Sequence, residues 1–128
     1  MNALLDTHAV LWAVLDPAKL GLQAADLLSD PDNRLFVSPA SYWEIAIKIS
    51  RGKFILERPY EAFWKDGLAL LGATILPIEL RHTSQLLSLP FHHKDPFDRL
   101  LIAQALAEGL PLVSADPVVE AYGVQRIW

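Results

Sequence analysis

The sequence contains no cysteine among its 128 residues. The chain therefore cannot form a disulfide, bind zinc through thiolates or use a cysteine nucleophile, and this composition suits a reducing compartment. The first residues carry no basic, apolar leader, and no stretch reaches the roughly 18 consecutive apolar residues that a membrane span needs. We therefore expect a cytoplasmic protein without a membrane segment.

Basic residues are also few. Lys and Arg number 11 against 15 Asp and Glu, which gives a net charge of −4. A broad basic surface for duplex DNA is not expected, so any contact with nucleic acid must be local or assisted by cations. Apolar residues, in contrast, make up 52% of the chain. This fraction excludes intrinsic disorder and leaves more apolar surface than a small monomer readily buries, so it predicts a protein partner.

The pattern of apolar residues predicts an α/β fold in a single domain that spans residues 1–128. Short apolar runs predict strands at residues 3–5, 35–37, 73–76 and 112–113, with a last strand possible at 125–127. Longer helical patterns cover residues 8–15, 21–30, 39–52, 60–71, 79–88 and 97–109. Because helical segments separate the strands, the sheet should be short, mostly parallel and flanked by helices on both faces.

Three dipeptides predict helix N-termini: Ser38-Pro39, Asp95-Pro96 and Asp116-Pro117. Each places a capping side chain before a proline at the first helical position. The caps at Ser38 and Asp116 follow predicted strands, and Asp6 follows the first strand. Polar groups therefore gather at the carboxyl edge of the sheet, where open α/β sheets bind ligands.

Four acidic residues can converge at that edge: Asp6, Glu44, Asp98 and Asp116. Carboxylates held close together repel one another unless a divalent cation neutralises them. Oxygen ligands without cysteine or paired histidine favour Mg²⁺ or Mn²⁺. The chemistry that this arrangement indicates is metal-assisted hydrolysis of a phosphodiester.

Structural explanations compete with this hypothesis at most of these positions. Asp95 and Asp98 fit a cap and first-turn arrangement, and Asp116 is equally a good N-cap. Glu44 could simply pair with Lys48 one helical turn away. Asp6, at the end of an apolar strand, has no evident structural purpose, so a functional role is favoured there.

Four sequence blocks resemble the motifs of PIN-domain nucleases, and more narrowly those of the VapC-like toxins of toxin–antitoxin pairs. The blocks are residues 4–8 (Leu-Leu-Asp-Thr-His), 38–46 (Ser-Pro-Ala-Ser-Tyr-Trp-Glu-Ile-Ala), 93–105 (His-Lys-Asp-Pro-Phe-Asp-Arg-Leu-Leu-Ile-Ala-Gln-Ala) and 112–116 (Leu-Val-Ser-Ala-Asp). They follow in the order and spacing of the family over essentially the whole chain. The resemblance implies a three-layer PIN-like fold.

The resemblance also implies a Mg²⁺- or Mn²⁺-dependent endoribonuclease that a cognate antitoxin protein restrains and that forms a homodimer. The acidic quartet of the family falls on Asp6, Glu44, Asp98 and Asp116, as catalytic residues and metal ligands. Three further residues would support the ligands from a second layer, namely Thr7, Asp95 and Ser114.

Candidate substrate-binding residues lie beside the quartet. Lys48 and Arg51 share a helical face with Glu44, and Lys53 lies just past it. This basic strip could follow an RNA backbone, with a solvated charged face as the alternative. Arg99 could bind the phosphate or pair with Asp95 or Glu44. Three histidines near the acidic edge, His8, His92 and His93, could assist proton transfer, although a carboxylate site needs none.

The aromatic residues are mainly core candidates, with one possible exposed anchor in the segment that holds Trp64. This set comprises Trp12, Trp43, Tyr60, Phe63 and Trp64. Two other functions are open at this point. One is a phosphohydrolase with Asp6 as nucleophile, although His8 stands where such enzymes usually place a second carboxylate. The other is a binding module without catalysis, whose carboxylates are only caps and surface charges.

Overall fold

The computed structural model describes all 128 residues and contains one all-parallel sheet of five strands in the order β3-β2-β1-β4-β5. The strands are β1 (Asn2–Leu5), β2 (Arg34–Val37), β3 (Thr74–Ile75), β4 (Leu112–Val113) and β5 (Arg126–Ile127). All five lie at the predicted positions. The sheet is fully parallel because a helical segment follows each of the first four strands and returns the chain to the same end.

Six α-helices cover the sheet: α1 (Thr7–Leu15), α2 (Leu22–Ser29), α3 (Pro39–Ser50), α4 (Tyr60–Leu71), α5 (Leu80–Leu87) and α6 (Pro96–Glu108). All six were predicted. The expected helix after Asp116-Pro117 is instead a short 3-10 helix, Pro117–Tyr122, which ends at Gly123 with a φ of 83°. A second 3-10 helix, Pro17–Lys19, was not predicted. No helix is both long and apolar enough to cross a membrane.

The central strand β1 sets the position of the candidate site. Its last residue, Leu5, is in register with Val37 of β2 and Val113 of β4. The three strands therefore end at the same level, and the chain leaves them through Asp6, Ser38 and Ser114. The order of strands also reverses between β1 and β4, which is the position where parallel sheets open a ligand-binding crevice.

The core has two layers, one on each face of the sheet. Alternate residues of β1 point to opposite faces, so Ala3 and Leu5 join one layer and Leu4 joins the other. The first layer contains Phe63 and Trp64 of α4, both buried. The second is built largely from α6 and β4. The prediction that the aromatic residues are mainly core is therefore confirmed for Phe63 and Trp64. It is wrong for Trp43, whose side chain is 63% exposed.

Candidate metal centre

Asp6 connects strand β1 to helix α1. Its side chain is buried, and its Oδ1 atom accepts a hydrogen bond of 2.8 Å from the backbone N–H of Ala9. Asp6 is therefore the N-cap of α1. The expectation that it has no structural purpose is wrong, because its side chain satisfies a backbone donor that the first turn of the helix leaves free.

Two other carboxylates cap helices in the same way. Oδ1 of Asp95 accepts from the N–H groups of Phe97 and Asp98, each at 2.9 Å. Oδ1 of Asp116 accepts from Val118 N at 3.0 Å. The capping interpretation of Asp95 and Asp116 is thus confirmed. Capping is compatible with metal binding, because in Asp6, Asp95 and Asp116 alike the cap uses Oδ1 and does not use Oδ2.

Glu44 projects from α3 into the protein and is only 3% exposed. Its Oε2 atom accepts a hydrogen bond of 2.9 Å from Lys48 Nζ, so the ion pair expected from their spacing is present. Its Oε1 atom is buried and has no hydrogen-bond partner. A buried carboxylate oxygen without a partner is costly, so this atom indicates a site that a cation or another donor would complete.

Asp6, Asp98 and Asp116 line one cleft, and Glu44 lies near enough for its charge to act on Asp98. Burial, and after it the negative charges of Asp95, Glu44, Asp6 and Asp116, together raise the pKa of Asp98 to about 7. Burial also raises the pKa of Asp6, with a smaller contribution from Glu44. The predicted quartet, drawn from α3, α6 and the ends of β1 and β4, is therefore brought together at one edge of the sheet.

Two hydroxyl groups connect the elements that carry the carboxylates. The side chain of Ser114 forms a hydrogen bond that lowers the pKa of Asp6, and its Oγ accepts from Asp116 N at 3.1 Å. The Thr7 hydroxyl lies 2.9 Å from the Ser41 hydroxyl, and both are buried. Ser114 thus contacts the acidic cluster directly, whereas the Thr7 hydroxyl fastens α1 to α3.

Arg99 does not face the acidic cluster. Its guanidinium is buried and donates to the carbonyl oxygens of Pro90 and Leu89, at 2.8 and 3.3 Å. It also donates to the Tyr122 hydroxyl at 3.2 Å and lies 3.9 Å from the ring centroid of Phe91. Neither phosphate binding nor pairing with Asp95 or Glu44 fits this burial, so both predictions for Arg99 are corrected. The chain segment at 89–91 folds back over the guanidinium, which local sequence does not reveal.

His93 lies next to Asp98, with 3.7 Å between His93 Nε2 and Asp98 Oδ2. Its Nδ1 atom lies 2.7 Å from the Tyr122 hydroxyl. Tyr122 was not predicted to belong to the site. An aromatic residue at the end of a short helix does not by itself indicate a site, so the sequence gives no signal for its role. Of the other two histidines, His92 packs edge-on against Tyr122, and His8 is exposed beside Trp12 in the acidic cleft.

The basic strip divides at the end of α3. Lys48 and Lys53 line a groove next to the acidic cleft, whereas Arg51 is exposed and lies outside the lining of that groove. Of the three residues of the predicted strip, Lys48 and Lys53 therefore share one surface and Arg51 does not. Gly52, with a φ of 69°, turns the chain so that Lys53 returns toward α3.

The donor set fits a hard divalent cation in its chemistry. All four quartet residues offer carboxylate oxygens, one of these oxygens is buried without a partner, and two of the carboxyl groups have raised pKa values. As the side chains stand, no group of three or more His, Asp or Glu is arranged to hold a metal ion. Binding would therefore require rotation of carboxylate side chains toward a common point.

Comparison with known proteins places these features in a wider context. A family model described as "PIN domain" matches residues 3–124. No curated protein matches the chain. The family match extends across all four motif blocks and all four carboxylates.

Several solved structures share the fold. VapBC2 from Rickettsia felis, bound to a DNA fragment from its promoter, matches with a TM-score of 0.76 and 14% identity over 100% of both chains. FitAcB from Neisseria gonorrhoeae matches with a TM-score of 0.66 and 18% identity over 98% of this chain and 96% of that one. VapBC-1 from nontypeable Haemophilus influenzae gives the same values. At these identities the likeness concerns the fold.

Proposed function

Because this chain belongs to the PIN-domain family, we propose that it is a metal-dependent endoribonuclease and the toxin of a VapC-like toxin–antitoxin pair. One observation carries the catalytic part of this proposal. Four carboxylates from separate elements meet at the crevice of a parallel sheet, where their charges help to raise the pKa of Asp98 to about 7. Such crowding is unfavourable for a purely structural cluster, and it is typical of a site that binds a cation.

The proposed metal ligands are Asp6, Glu44, Asp98 and Asp116, and the proposed cofactor is Mg²⁺ or Mn²⁺. When bound, such an ion would activate water and stabilise the negative charge that develops on the phosphate. The ion would also remove the repulsion among the carboxylates and supply the partner that Glu44 Oε1 lacks.

The residues around the ligands hold them in place. The caps fix Asp6 and Asp116 at the helix starts, and Ser114 contacts both of these residues. Asp95 fixes the first turn of α6 and so the direction of Asp98. The bond between Thr7 and Ser41 maintains the spacing of α1 and α3. Asp95 and Ser114 therefore support the ligands directly, whereas Thr7 supports them indirectly, through the packing of α1 on α3.

RNA is the proposed substrate on the basis of the family motifs, and Lys48 is the proposed contact to its backbone. Lys48 Nζ already lies 2.9 Å from Glu44. A phosphate bound at Lys48 would therefore lie close to the carboxylates. Arg51 is exposed at the end of α3 and could add a peripheral contact.

Two observations support the proposal of a protein partner, namely the descriptions of the fold relatives and the exposed apolar side chains of this chain. One fold relative is described as a toxin–antitoxin complex from Klebsiella pneumoniae, and VapBC2 is described as bound to a DNA fragment from its promoter. The chain itself exposes several large apolar side chains, including Leu22, Leu80, Leu87 and Phe91. Exposed apolar surface of this kind is typical of chains that bind an antitoxin or form the expected homodimer.

The test is incubation of the purified chain with total cellular RNA in the presence of Mn²⁺, Mg²⁺ or EDTA, with mapping of new RNA ends. We expect discrete cleavage with either ion, none with EDTA and none with Asp98→Asn. Cleavage that persists in EDTA, or that Asp98→Asn retains in full, would contradict the proposal. Glu61→Gln, an exposed carboxylate change on α4, is the matched control.

A further inference from the structure

A groove of about 370 Å³ adjoins the acidic cleft. Its walls come from α1, α3 and the segments that follow each of these two helices. Two residues, His8 and Trp12, line both the groove and the cleft that holds Asp6, Asp98 and Asp116. A chain that leaves the cleft in this direction therefore passes over His8 and Trp12 and enters the groove.

Aromatic side chains form part of the groove wall. The ring centroids of His8 and Trp12 are 5.5 Å apart with 48° between the ring planes. The ring centroids of Trp12 and Trp128 are also 5.5 Å apart. These contacts fix the Trp12 ring, while Phe54 lines the groove as well. Fixed aromatic rings beside a polar cleft offer stacking surfaces for unpaired nucleobases.

The charges of the groove favour an anionic ligand. Three lysines, Lys19, Lys48 and Lys53, line it together with one carboxylate, Asp16. Lys19 lies 3.9 Å from Asp16 and Lys48 pairs with Glu44, whereas Lys53 is exposed and makes no salt bridge. The net charge of the whole chain is −4, so this concentration of cations is local. It matches the requirement for a short contact with a phosphate backbone.

We propose that this groove binds the nucleotide of a single-stranded RNA that adjoins the cleaved bond. The base stacks on the aromatic wall formed by Trp12 and Phe54, and the backbone phosphate contacts Lys53 and Lys48. The proposal rests on the proposed function for the identity of the substrate. It excludes paired RNA from the groove, because a base must leave its stack to reach the ring of Trp12.

The test is binding of a fluorescein-labelled single-stranded RNA oligonucleotide, measured by anisotropy in EDTA so that no cleavage occurs. A blunt duplex of the same sequence is the second ligand. We expect Trp12→Leu to weaken binding of the single strand roughly tenfold or more, and Trp12→Phe to retain most of the affinity. Lys53→Ala should reduce the salt slope of binding by about 0.7. The duplex should bind weakly and respond to neither change.

Two matched controls lie outside the groove, Trp43→Leu at an exposed tryptophan and Lys65→Ala at an exposed lysine of α4. Both should bind the single strand as the wild type does. Because Trp12 packs against Trp128, thermal melting must show that each Trp12 variant is folded. Lys53 is exposed, so Lys53→Ala tests the groove without that risk.

The outcomes separate this inference from the proposed function. If Trp12→Leu and Lys53→Ala bind RNA as the wild type does while cleavage depends on Asp98, the groove inference is wrong and the proposed function stands. If binding depends on Trp12 and Lys53 but no metal supports cleavage, the groove inference stands and the proposed function fails. If RNA does not bind and the same substitutions instead release a protein partner, the groove is a protein-docking site and the inference is wrong.

Discussion

His93 Nε2 lies 3.7 Å from Asp98 Oδ2, while His93 Nδ1 lies 2.7 Å from the hydroxyl oxygen of Tyr122. The Tyr122 hydroxyl also accepts hydrogen bonds from the backbone N–H of His93 and from Arg99. One side chain of the last 3-10 helix thus orients both the loop that carries His93 and the buried arginine of α6. The position of the imidazole beside Asp98 therefore depends on a residue remote from it in sequence.

Tyr122→Phe tests this arrangement. The change removes the hydroxyl and leaves its donors and the imidazole without their common partner. We expect a loss of about 1–2 kcal/mol in the free energy of unfolding, measured by urea denaturation. Metal-dependent RNA cleavage at a temperature where the variant is folded should fall roughly tenfold, because the imidazole beside Asp98 is no longer fixed. His92→Ala, which removes only a ring packed on Tyr122, should change cleavage little.

The raised pKa of Asp98 predicts a pH dependence of stability. The folded protein holds a proton on Asp98 up to a pKa of about 7, whereas the ordinary value is 3.8. Between these values the folded state binds more protons than the unfolded state, so this contribution to stability is greatest at low pH and is lost as pH rises through the folded pKa. Asp98→Asn should therefore raise the melting temperature of the metal-free protein at pH 8, and have a smaller effect at pH 5.

The size of that effect is limited because about a third of the Asp98 side chain is in water. An increase of about 3–5 °C at pH 8 is expected for a chain of this size. Mg²⁺ or Mn²⁺ should raise the melting temperature of the wild type at pH 8 and of Asp98→Asn much less. Asp32→Asn, in the exposed loop before β2, serves as the control. Equal melting of wild type and Asp98→Asn at pH 8 in EDTA would contradict the prediction.

Glu44→Gln tests the ligand role of a buried carboxylate. The substitution keeps the shape of the side chain and removes the charge that pairs with Lys48. If Glu44 holds the metal, cleavage should fall about a hundredfold or more, as should that of Asp98→Asn. The measurement is the initial rate of cleavage of a mapped RNA at saturating Mn²⁺. A Glu44→Gln protein with full activity would show that Glu44 serves only the ion pair with Lys48.

Most of the fold was predictable because its signals are local. Apolar runs and proline-containing caps located all strands and all α-helices within a few residues, and Ser38 and Asp95 cap α3 and α6 as expected. The helix after Asp116 is shorter than expected because Gly123 ends it within two turns. The cap formed by Asp6 is also a local feature, since its side chain accepts from the N–H of Ala9 three residues later.

The environment of individual side chains was less predictable, because it depends on distant segments. The convergence of the acidic quartet followed from the parallel sheet, whose strand ends are adjacent whatever the intervening sequence. The burial of Arg99 was not predictable, because it depends on how the loop at 89–91 folds over the guanidinium. Trp43 and Trp64 lie on neighbouring helices with similar local patterns, but only tertiary packing leaves Trp43 in solvent.

Arg99→Lys tests the revised role of Arg99. A lysine keeps the positive charge but cannot reach two carbonyl oxygens and a hydroxyl while lying flat on the Phe91 ring. We expect a loss of about 2–4 kcal/mol in the free energy of unfolding for Arg99→Lys, measured by urea denaturation. Arg51→Ala, at an exposed position, should change it by less than about 0.5 kcal/mol. Wild-type stability in Arg99→Lys would return Arg99 to the candidates for phosphate binding.

The last prediction concerns the partner protein. Four exposed side chains, Leu22, Leu80, Leu87 and Phe91, are each more than three quarters accessible to water. Surface of this kind favours association, and an endoribonuclease that cleaves the RNA of its host would harm that host unless it were restrained. We expect the chain expressed alone to arrest growth and to be poorly soluble. We expect a small protein encoded by an adjacent gene to restore growth on co-expression and to yield a stable, soluble complex.

Asp98→Asn separates growth arrest, which would come from catalysis, from poor solubility, which would come from exposed apolar surface. The variant should no longer arrest growth, because the proposed catalytic site is incomplete, but it should remain poorly soluble without the partner and form the same complex with it. The measurements are growth after induction, the soluble fraction and co-purification on a tag. If the wild type is harmless, soluble and binds no such partner, the chain is not the toxin of a pair, and any metal-dependent cleavage it shows would belong to an unrestrained nuclease.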